Sequence, residues 1–504
     1  MMISKSECEA LLNREPMFDD IMMSIRAIAR QPKGINNELK EVIAIARKFS
    51  NEVVKPGNLT LDRKMHEIPD YLPWDYVHEA NKRGFYTMFI PKMFGGRGYS
   101  LSTITYFLEE LSSACAAVAN IVGVHYLGIT MLFSSWNIKI IEKICSEVIK
   151  GEKTGEPCIL SLAMTEPDAG TDSQNVEFMN TGTLACHARR VQGGYNVTGN
   201  KIFISMGHMS TWHIVHAYTD LKHAADKTIM FAIKTGSPGF SFGKKEKKMG
   251  QKGCPASELI FKDCFVPDEN LCLAIENMAR LKRRIKDTNA QVFANIWGAS
   301  RAGVGAFGVG TARAAFEVAL EYAAQTVIDG QRLVNHEWCQ SILGDMYKNV
   351  LMSRLAYAES TYANGLHGIW MLMNIKPIYY LCKYTPKRLL AGILKPFFKM
   401  KITTAVFRKI CFDWQSDDAV NRVDGWGSLA KVVGTDAGVQ NARLAMEIMG
   451  HAGVRQDCRV EKVLRDSKLF QIYEGTNQIN RLNLFKRLVA KSIPQADVFS
   501  ETNM

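Results

Sequence analysis

The stretch Cys158–Asp172, CILSLAMTEPDAGTD, marks the point at which the sequence changes from helical to β-type patterning. Before it, from about residue 35 to 157, apolar residues recur at spacings of three and four, which predicts helices. After it come short runs rich in β-branched and aromatic residues, separated by glycine turns, which predict a small barrel or sandwich. Helical periodicity returns from about residue 290. This order predicts an α+β protein that is mostly helical.

The changes in pattern divide the chain into four parts. We predict an N-terminal extension over residues 1–34, a helical domain over 35–157, a β domain over 158–275 and a second helical domain over 276–495. A segment at 365–412 interrupts the last domain. A chain of 504 residues can bury several cores.

Composition and cysteine use indicate an ordinary soluble globular protein, with 47% apolar and 22% charged residues. The twelve cysteines include no CxxC pair and no zinc-like spacing, so we expect reduced thiols, a cytoplasmic protein and no metal site. The first thirty residues lack the long apolar core of a secretory signal, and their five acidic residues argue against a transit peptide. The uncharged stretch from Leu111 to Asn137 could span a bilayer, but polar residues at its centre favour a buried core helix.

The net charge of +12 is concentrated in one place. Between Thr361 and Phe412 there is no Asp or Glu, but there are nine Lys or Arg residues. A uniformly basic nucleic-acid-binding protein would spread its charge, so we expect no nucleic-acid partner and a local basic surface instead.

A single carboxylate, Glu474, stands in the motif IYEGTNQIN near the C-terminus. Gly475 breaks the chain, Thr476 can cap a helix, and the apolar residues that follow have helical spacing. The motif taken alone therefore predicts a helix N-terminus, and a functional acid is the alternative.

The motif GVGAFG at Gly303–Gly308 fits a dinucleotide-binding fingerprint. No strand precedes it and no βαβ unit surrounds it, so the fingerprint has little weight. We expect its small residues to let two helices approach closely.

Several motifs in a fixed order resemble the signature blocks of the acyl-CoA dehydrogenases. The blocks are GFYTMFIPKMFGGRGYS (84–100), LAMTEPDAGTD (162–172), GNKIFISMG (199–207), MGQKGCPASELIFKDCFVP (249–267) and RDSKLFQIYEGTNQINRL (465–482). The resemblance covers roughly residues 38–490, apart from the basic segment. It implies an N-terminal helical domain, a middle β domain, a C-terminal helical bundle, bound FAD, and a homodimer or homotetramer.

The resemblance also implies a reaction, the FAD-dependent α,β-dehydrogenation of an acyl-CoA thioester to the trans-2-enoyl-CoA. A base removes the α-proton while the β-hydrogen leaves as hydride to FAD. By this resemblance Glu474 stands at the position of the family's catalytic base, and the position of the alternative base, ahead of Arg301, holds Ser300, so that base is absent. Electrons would pass to an electron-transferring flavoprotein or a membrane acceptor. An oxidase or monooxygenase on the same fold, or a non-catalytic flavoprotein that binds nucleic acid, are the alternatives.

The remaining motif residues take roles by the same resemblance. Those implied to bind the cofactor are Thr165, Gly170, Phe203, Ser205, Gly450, Gly453, Thr476 and Gln478. Those implied to contact the substrate are Thr171, Arg301 and Tyr473. For Arg301, an ordinary surface position on a helix is the alternative.

Three positions depart from the family pattern near the FAD diphosphate. Thr326 replaces an arginine that reaches the partner subunit's FAD, Asp329 replaces a phenylalanine, and Glu447 replaces a glutamine. The changes predict weaker binding of the diphosphate. We expect Arg332 to supply the missing charge.

The basic segment 365–412 has no counterpart in the family pattern. Pro377 and Pro386 divide it into short helices, Pro396 is expected to bend a third, and no apolar run is long enough to span a bilayer. Basic residues mixed with aromatic and aliphatic ones predict an amphipathic element in an anionic membrane surface, with docking on an electron-accepting protein as the alternative. The residues expected to make these contacts are Trp370, Lys387, Arg388, Lys395, Phe397, Phe398, Lys399 and Lys401.

Overall fold

The computed structural model describes residues 22–278, 283–398 and 400–490, together with residues 493, 496, 498 and 499. Most of the predicted N-terminal extension, and Lys399, lie outside the described residues. Within them the chain follows the predicted order of helices, strands and helices. The α+β, mostly helical fold is therefore confirmed.

The first helical domain is built around one central helix. Helix α1 (Met23–Arg30) lies in the predicted N-terminal extension, and the domain itself contains α2 (Gly34–Phe49), α3 (Lys55–Glu67), α4 (Trp74–Lys82), α5 (Ile104–Ala114), α6 (Ala116–Phe133) and α7 (Ile138–Thr154). Helix α6 is long and apolar enough to cross a membrane, but 83% of it is buried inside the protein. The prediction of a core helix for this stretch is confirmed. Cys115 has an extended backbone and separates α5 from α6.

Buried His125 joins α6 to the start of the β domain. Its Nδ1 accepts a hydrogen bond from the Leu160 N–H at 3.3 Å, and its Nε2 donates to the Tyr86 carbonyl at 2.9 Å. Burial lowers the pKa of His125 to about 3, so the ring is neutral. This uncharged polar link explains how a histidine is accommodated in the core.

The middle domain is one sheet of eight strands. The strands are β1 (Leu160–Ala163), β2 (His187–Val191), β3 (Gly194–Ser205), β4 (Trp212–Tyr218), β5 (Thr228–Lys234), β6 (Phe240–Lys245), β7 (Ala256–Pro267) and β8 (Leu271–Ala274). Their order is β6-β7-β3-β2-β4-β5-β8, and β1 pairs in parallel with β4. YNVTG (195–199) and KIFISM (201–206) are two of the short β-type runs that the sequence separates by a glycine turn. They form the single strand β3, whose register with β7 shifts twice.

The C-terminal domain is dominated by long helices. The domain contains α8 (Ile285–Gln325), α9 (Glu337–His367), α10 (Lys376–Tyr384), α11 (Lys387–Phe398), α12 (Lys401–Arg408), α13 (Asp417–Met449), α14 (Arg459–Phe470) and α15 (Asn477–Leu484). Helices α8 and α13 approach so closely that a Cβ at Gly305 would lie 2.6 Å from the Ala430 carbonyl, and one at Gly308 would lie 2.4 Å from Gly434. The prediction that GVGAFG serves helix packing is confirmed.

Segment 365–412 contains the three short helices α10, α11 and α12; Pro377 stands in the first turn of α10 and Pro386 precedes α11, as predicted, whereas Pro396 lies inside α11. Two of its aromatic residues are not on the surface. Trp370 is 6% exposed and Phe398 is 7% exposed, with the Phe398 ring stacked on Phe94 at a centroid distance of 5.0 Å. The sequence had placed both among the membrane contacts, and this is wrong because both pack into the main hydrophobic core.

Candidate active site

Glu474 lies on a tight loop between α14 and α15. Its φ is +58° and that of Gly475 is +77°. A left-handed backbone is unusual for a glutamate and is maintained only when the surroundings hold it in place. The Thr476 hydroxyl accepts a hydrogen bond from the Ile479 N–H at 3.3 Å. The helix N-terminus predicted from the motif is thus present, and the carboxylate stands just before it.

Three buried side chains hold the backbone of this loop. The Arg301 Nε donates to the Glu474 carbonyl at 3.2 Å, and the Asn480 amide donates to the Gly475 carbonyl at 2.9 Å. The Lys431 Nζ donates to the Gly475 carbonyl and to the Asn477 side chain. Because all of the loop's central carbonyls have partners, the unusual conformation is stable.

Arg301 is itself fixed by a buried ion pair. Its guanidinium contacts the Asp424 carboxylate at 2.9 Å and the Ser428 hydroxyl at 3.1 Å. Both Arg301 and Asp424 are buried, which rules out an ordinary surface arginine. In this structure Arg301 positions the Glu474 loop through its main chain.

The Glu474 carboxylate is enclosed and accepts one strong hydrogen bond. The Ser300 Oγ donates to Glu474 Oε2 at 2.7 Å. Burial raises the pKa of Glu474 above its usual value, and the Ser300 hydrogen bond and the charges of Arg301 and Lys431 oppose that rise. Burial outweighs these opposing effects. A raised pKa is what a carboxylate needs to accept a proton near neutral pH.

Strand β3 supplies an aromatic wall at the same place. Phe203 has a φ of +58° and lies where the β3–β7 register shifts between Lys201 and Ile204. The irregularity redirects its side chain, which remains 57% exposed. Thr165, after β1, is held beside it because the Ile202 N–H donates to the Thr165 carbonyl at 2.9 Å.

A buried ion pair anchors the TEPDAGT loop to β3. The Lys201 Nζ donates to Glu166 Oε1 at 2.8 Å and to the Met164 carbonyl at 2.9 Å, and both charged side chains are fully enclosed. The second carboxylate oxygen accepts from the main-chain N–H groups of Ala185 and Cys186. Thr165 therefore sits on a rigid support.

These groups border one cleft, whose empty space totals about 1020 Å³ including the part open to solvent. Its polar lining includes Thr165, Ser205, Ser300 and Glu474, together with Asn120, Thr130 and Gln174. Its apolar lining comes from helices α5, α6 and α8, with aromatic walls from Tyr473, Trp297, Phe307, Phe203 and Trp370. The cleft can therefore hold an apolar chain together with a polar reacting group.

A second pocket adjoins the first and shares Gln174 and Trp297 with it. Thr171 and Arg301, predicted as substrate contacts, line this second pocket. Lys486 and Arg487 also line it, in ion pairs with Glu177 and Asp424.

The structure does not bring every predicted cofactor residue to these pockets. Gly170 and Gln478 are exposed at their edges, and Thr476 serves as the cap of α15. Gly450 and Gly453 lie at the far end of α13, where Gly450 has a φ of +55°. None of these five residues lines either pocket.

Sequence reasoning missed three residues of the site. Ser300 was noted only because it cannot act as a base, yet it is the hydrogen-bond partner of Glu474. Lys431 could have been noticed as a charged residue inside an apolar helix. Nothing in the sequence places Trp370 in the cleft.

The cleft fits the isoalloxazine ring of FAD. Phe203 leaves its ring face largely uncovered by protein, and the Thr165 and Ser205 side chains beside it offer hydroxyl groups. A flat heteroaromatic ring requires an apolar face together with polar partners at its edge.

Comparison with known proteins agrees with this description. The cyclohex-1-ene-1-carbonyl-CoA dehydrogenase of Syntrophus aciditrophicus (strain SB) is 28% identical over 456 residues, covering 89% of both chains. The acyl-CoA dehydrogenase of Bacillus subtilis (strain 168) is 28% identical, covering 88% of this chain and 96% of its own.

Solved structures share the fold. The butyryl-CoA dehydrogenase from Megasphaera elsdenii superposes with a TM-score of 0.67 at 22% identity, covering 90% of this chain and 98% of its own. A chain solved in a study of the electron transferring flavoprotein of Acidaminococcus fermentans gives a TM-score of 0.68 at 21% identity, with the same coverage.

All three domains of acyl-CoA dehydrogenase match this sequence. The N-terminal domain matches residues 36–152, the middle domain 161–264, and the C-terminal domain 291–366 and 392–489. The gap in the last match, residues 367–391, covers only the first half of the basic segment, so the prediction that all of 365–412 lacks a counterpart in the family is wrong for residues 392–412. Because the matches cover more than half of the chain, the protein belongs to the acyl-CoA dehydrogenase family and is an FAD-dependent oxidoreductase.

Proposed function

We propose that the protein dehydrogenates an acyl-CoA thioester between Cα and Cβ, with Glu474 as the base that takes the α-proton. The observation that carries the proposal is an enclosed carboxylate, held on a fixed loop and hydrogen-bonded to Ser300, at the wall of a largely apolar cleft. Such a carboxylate has one free oxygen to accept a proton and apolar walls to hold an acyl chain.

Other residues of the cleft orient the reactants in this proposal. Thr165, Phe203 and Ser205 would hold the flavin ring, and Tyr473 would flank the acyl group. When bound, FAD supplies the acceptor for the hydride from Cβ. The apolar walls exclude water, which strengthens every charge interaction at the carboxylate.

The second pocket is the proposed path for the polar part of CoA. It lies beside the cleft and carries Thr171 and three basic side chains, Arg301, Lys486 and Arg487. Basic groups suit an anionic ligand, although Arg301 and Arg487 already pair with Asp424 and Lys486 already pairs with Glu177.

The test compares Glu474→Gln with Glu474→Asp. The Gln variant is nearly isosteric but cannot accept a proton, so substrate should bleach its flavin ~10²- to 10⁴-fold more slowly. The Asp variant keeps a displaced base and should retain part of the rate. Both should bind FAD as the wild type does. Normal bleaching in the Gln variant would refute the assignment.

An electron-transferring flavoprotein is the proposed acceptor, and oxygen is the rival. We expect the substrate-reduced enzyme to reoxidise slowly in air and rapidly with an electron-transferring flavoprotein. Fast reoxidation in air would favour an oxidase instead.

A homodimer or homotetramer is part of the proposal. Helix α9 presents an apolar row at i, i+4 and i+8, Tyr347, Leu351 and Leu355, in which every side chain is more than a third exposed. Exposed apolar rows of this kind are typical of subunit interfaces. Native mass measured by light scattering tests the expectation.

The proposed location is the cytoplasm, with a peripheral position on the membrane. The eleven described cysteines are free thiols, as expected in a reducing compartment.

A further inference from the structure

Segment 365–412 is unusually rich in exposed apolar side chains. Nine of the 28 large hydrophobic residues exposed in the described part of the chain lie in these 48 residues. The nine are Ile375, Leu381, Tyr384, Leu389, Ile393, Phe397, Met400, Ile402 and Val406. Nearly a third of the exposed set thus falls in less than a tenth of the chain, so the exposure is a property of this segment.

The exposed residues form rows along the helices. On α11, Leu389, Ile393 and Phe397 are spaced by four and are 55%, 55% and 51% exposed. On α12, Ile402 and Val406 repeat the spacing at 63% and 50%. Residues spaced by four lie on one helix face, so each helix presents a continuous apolar strip to solvent.

The side of the segment opposite the exposed apolar strips packs against the N-terminal domain. Phe398 stacks on Phe94, and the Tyr379 hydroxyl donates to Glu38 at 2.7 Å. The Ile138 N–H donates to the Thr404 hydroxyl at 3.3 Å, at the start of α7. Since α11 and α12 both pack against α7, their outer strips face away from the same support. The segment is a fixed platform whose apolar side is turned outward.

Helices α11 and α12 themselves carry only basic charges, and one of these, Arg408, pairs with Asp413 just beyond α12 at 3.5 Å. Lys387, Arg388 and Lys401 are exposed and form no ion pair with any described residue. Lys395 reaches Glu142 at 3.3 Å but remains 56% exposed. The apolar row on α9 differs, because Asp345 and Lys348 form an ion pair beside it. A helix face bordered by charges of both signs suits a second copy of the chain, whereas helices with an excess of exposed basic charge suit an anionic surface.

We infer that the outer face of α11 and α12 docks on anionic phospholipid. The aliphatic and aromatic strip enters the interfacial region while Lys387, Arg388, Lys395 and Lys401 contact the headgroups. Binding of this kind requires exposed apolar area together with basic side chains, and the outer face of α11 and α12 has both. The inference concerns the surface alone and does not depend on the reaction proposed for the cleft.

Vesicle flotation with the FAD-loaded enzyme tests the inference. The wild type should float with phosphatidylcholine vesicles that contain phosphatidylglycerol at low salt, and not with phosphatidylcholine alone. The double variant Ile393→Glu with Phe397→Glu should lose binding. The variant Lys387→Glu with Arg388→Glu should bind more than tenfold more weakly, since each basic residue near anionic lipid contributes about a fivefold factor.

A charge reversal elsewhere provides the matched control. Lys222 and Lys262 are exposed on the β domain, and changing both to Glu should leave flotation intact. All variants should keep the wild-type rate of flavin reduction, which separates this test from that of the reaction. Equal flotation of all variants, or no flotation of the wild type at low salt, would overturn the inference. If the wild type does not float at low salt, an acidic protein becomes the expected partner of this surface.

Discussion

Replacing Ser300 by alanine should shift the pH profile of the flavin reduction rate to higher pH. The Ser300 Oγ donates to Glu474 Oε2 at 2.7 Å, and a donated hydrogen bond favours the ionised carboxylate. Burial already raises the pKa of Glu474. Without the hydroxyl, the pKa rises further, and a larger fraction of the enzyme holds a protonated, inactive Glu474 at low pH.

The size of the effect follows from the charge on the acceptor. Hydrogen bonds to charged groups contribute about 1.5–3 kcal/mol, and each 1.4 kcal/mol is about a factor of ten in a rate or equilibrium. Below the transition, the Ser300→Ala variant should therefore be about ten- to a hundredfold slower. Above it, where Glu474 is ionised in both enzymes, the rates should converge.

Stopped-flow reduction by a saturating acyl-CoA, followed across the acid and neutral range, measures this profile. Ser353→Ala is the matched control, because the Ser353 hydroxyl bonds only to main-chain carbonyls on α9 and α13. Its profile should equal that of the wild type. If Ser300→Ala also keeps the wild-type profile, the role assigned to this hydrogen bond is wrong.

Three further variants test other parts of the site. Trp370→Leu should enlarge the cleft and raise kcat/KM for longer acyl-CoA substrates relative to shorter ones, measured over a straight-chain series. If the ratio of kcat/KM between long and short substrates is unchanged, Trp370 is not a wall of the acyl site. Burial lowers the pKa of Lys431 from 10.5 to about 7. Between about pH 7 and 10.5 the unfolded chain therefore binds more protons at this residue than the folded protein does, so the free energy of unfolding should rise with pH. Thermal unfolding should show this rise for the wild type relative to Lys431→Met. Arg332→Ala should lower FAD retention on gel filtration while Thr326→Ala should not, and equal retention would refute the replacement of the missing arginine.

Local patterns in the sequence were sufficient for the order of the elements. Periodicities of two and of three to four separate the β domain from the helical ones, because each reflects which faces of a strand or helix are buried. The same local information located the short helices of segment 365–412, since proline limits helices directly. It failed at β3, where two short runs form one strand, because only pairing with β7 shows that the strand continues through its irregularities.

The sequence alone determined the family and the order of helices and strands, and it singled out Glu474 as the candidate base, because each of these depends on motifs or periodicities within short stretches of the chain. Tertiary structure decided what surrounds that acid. Ser300 and Glu474 are 174 residues apart in the chain, and their hydrogen bond depends on how α8 packs against the C-terminal loop. In segment 365–412, Phe397 and Phe398 are adjacent and chemically identical. Phe397 faces solvent and Phe398 stacks on Phe94. The domain that α11 packs against decides which face of the helix is covered, and the sequence of the helix does not show this.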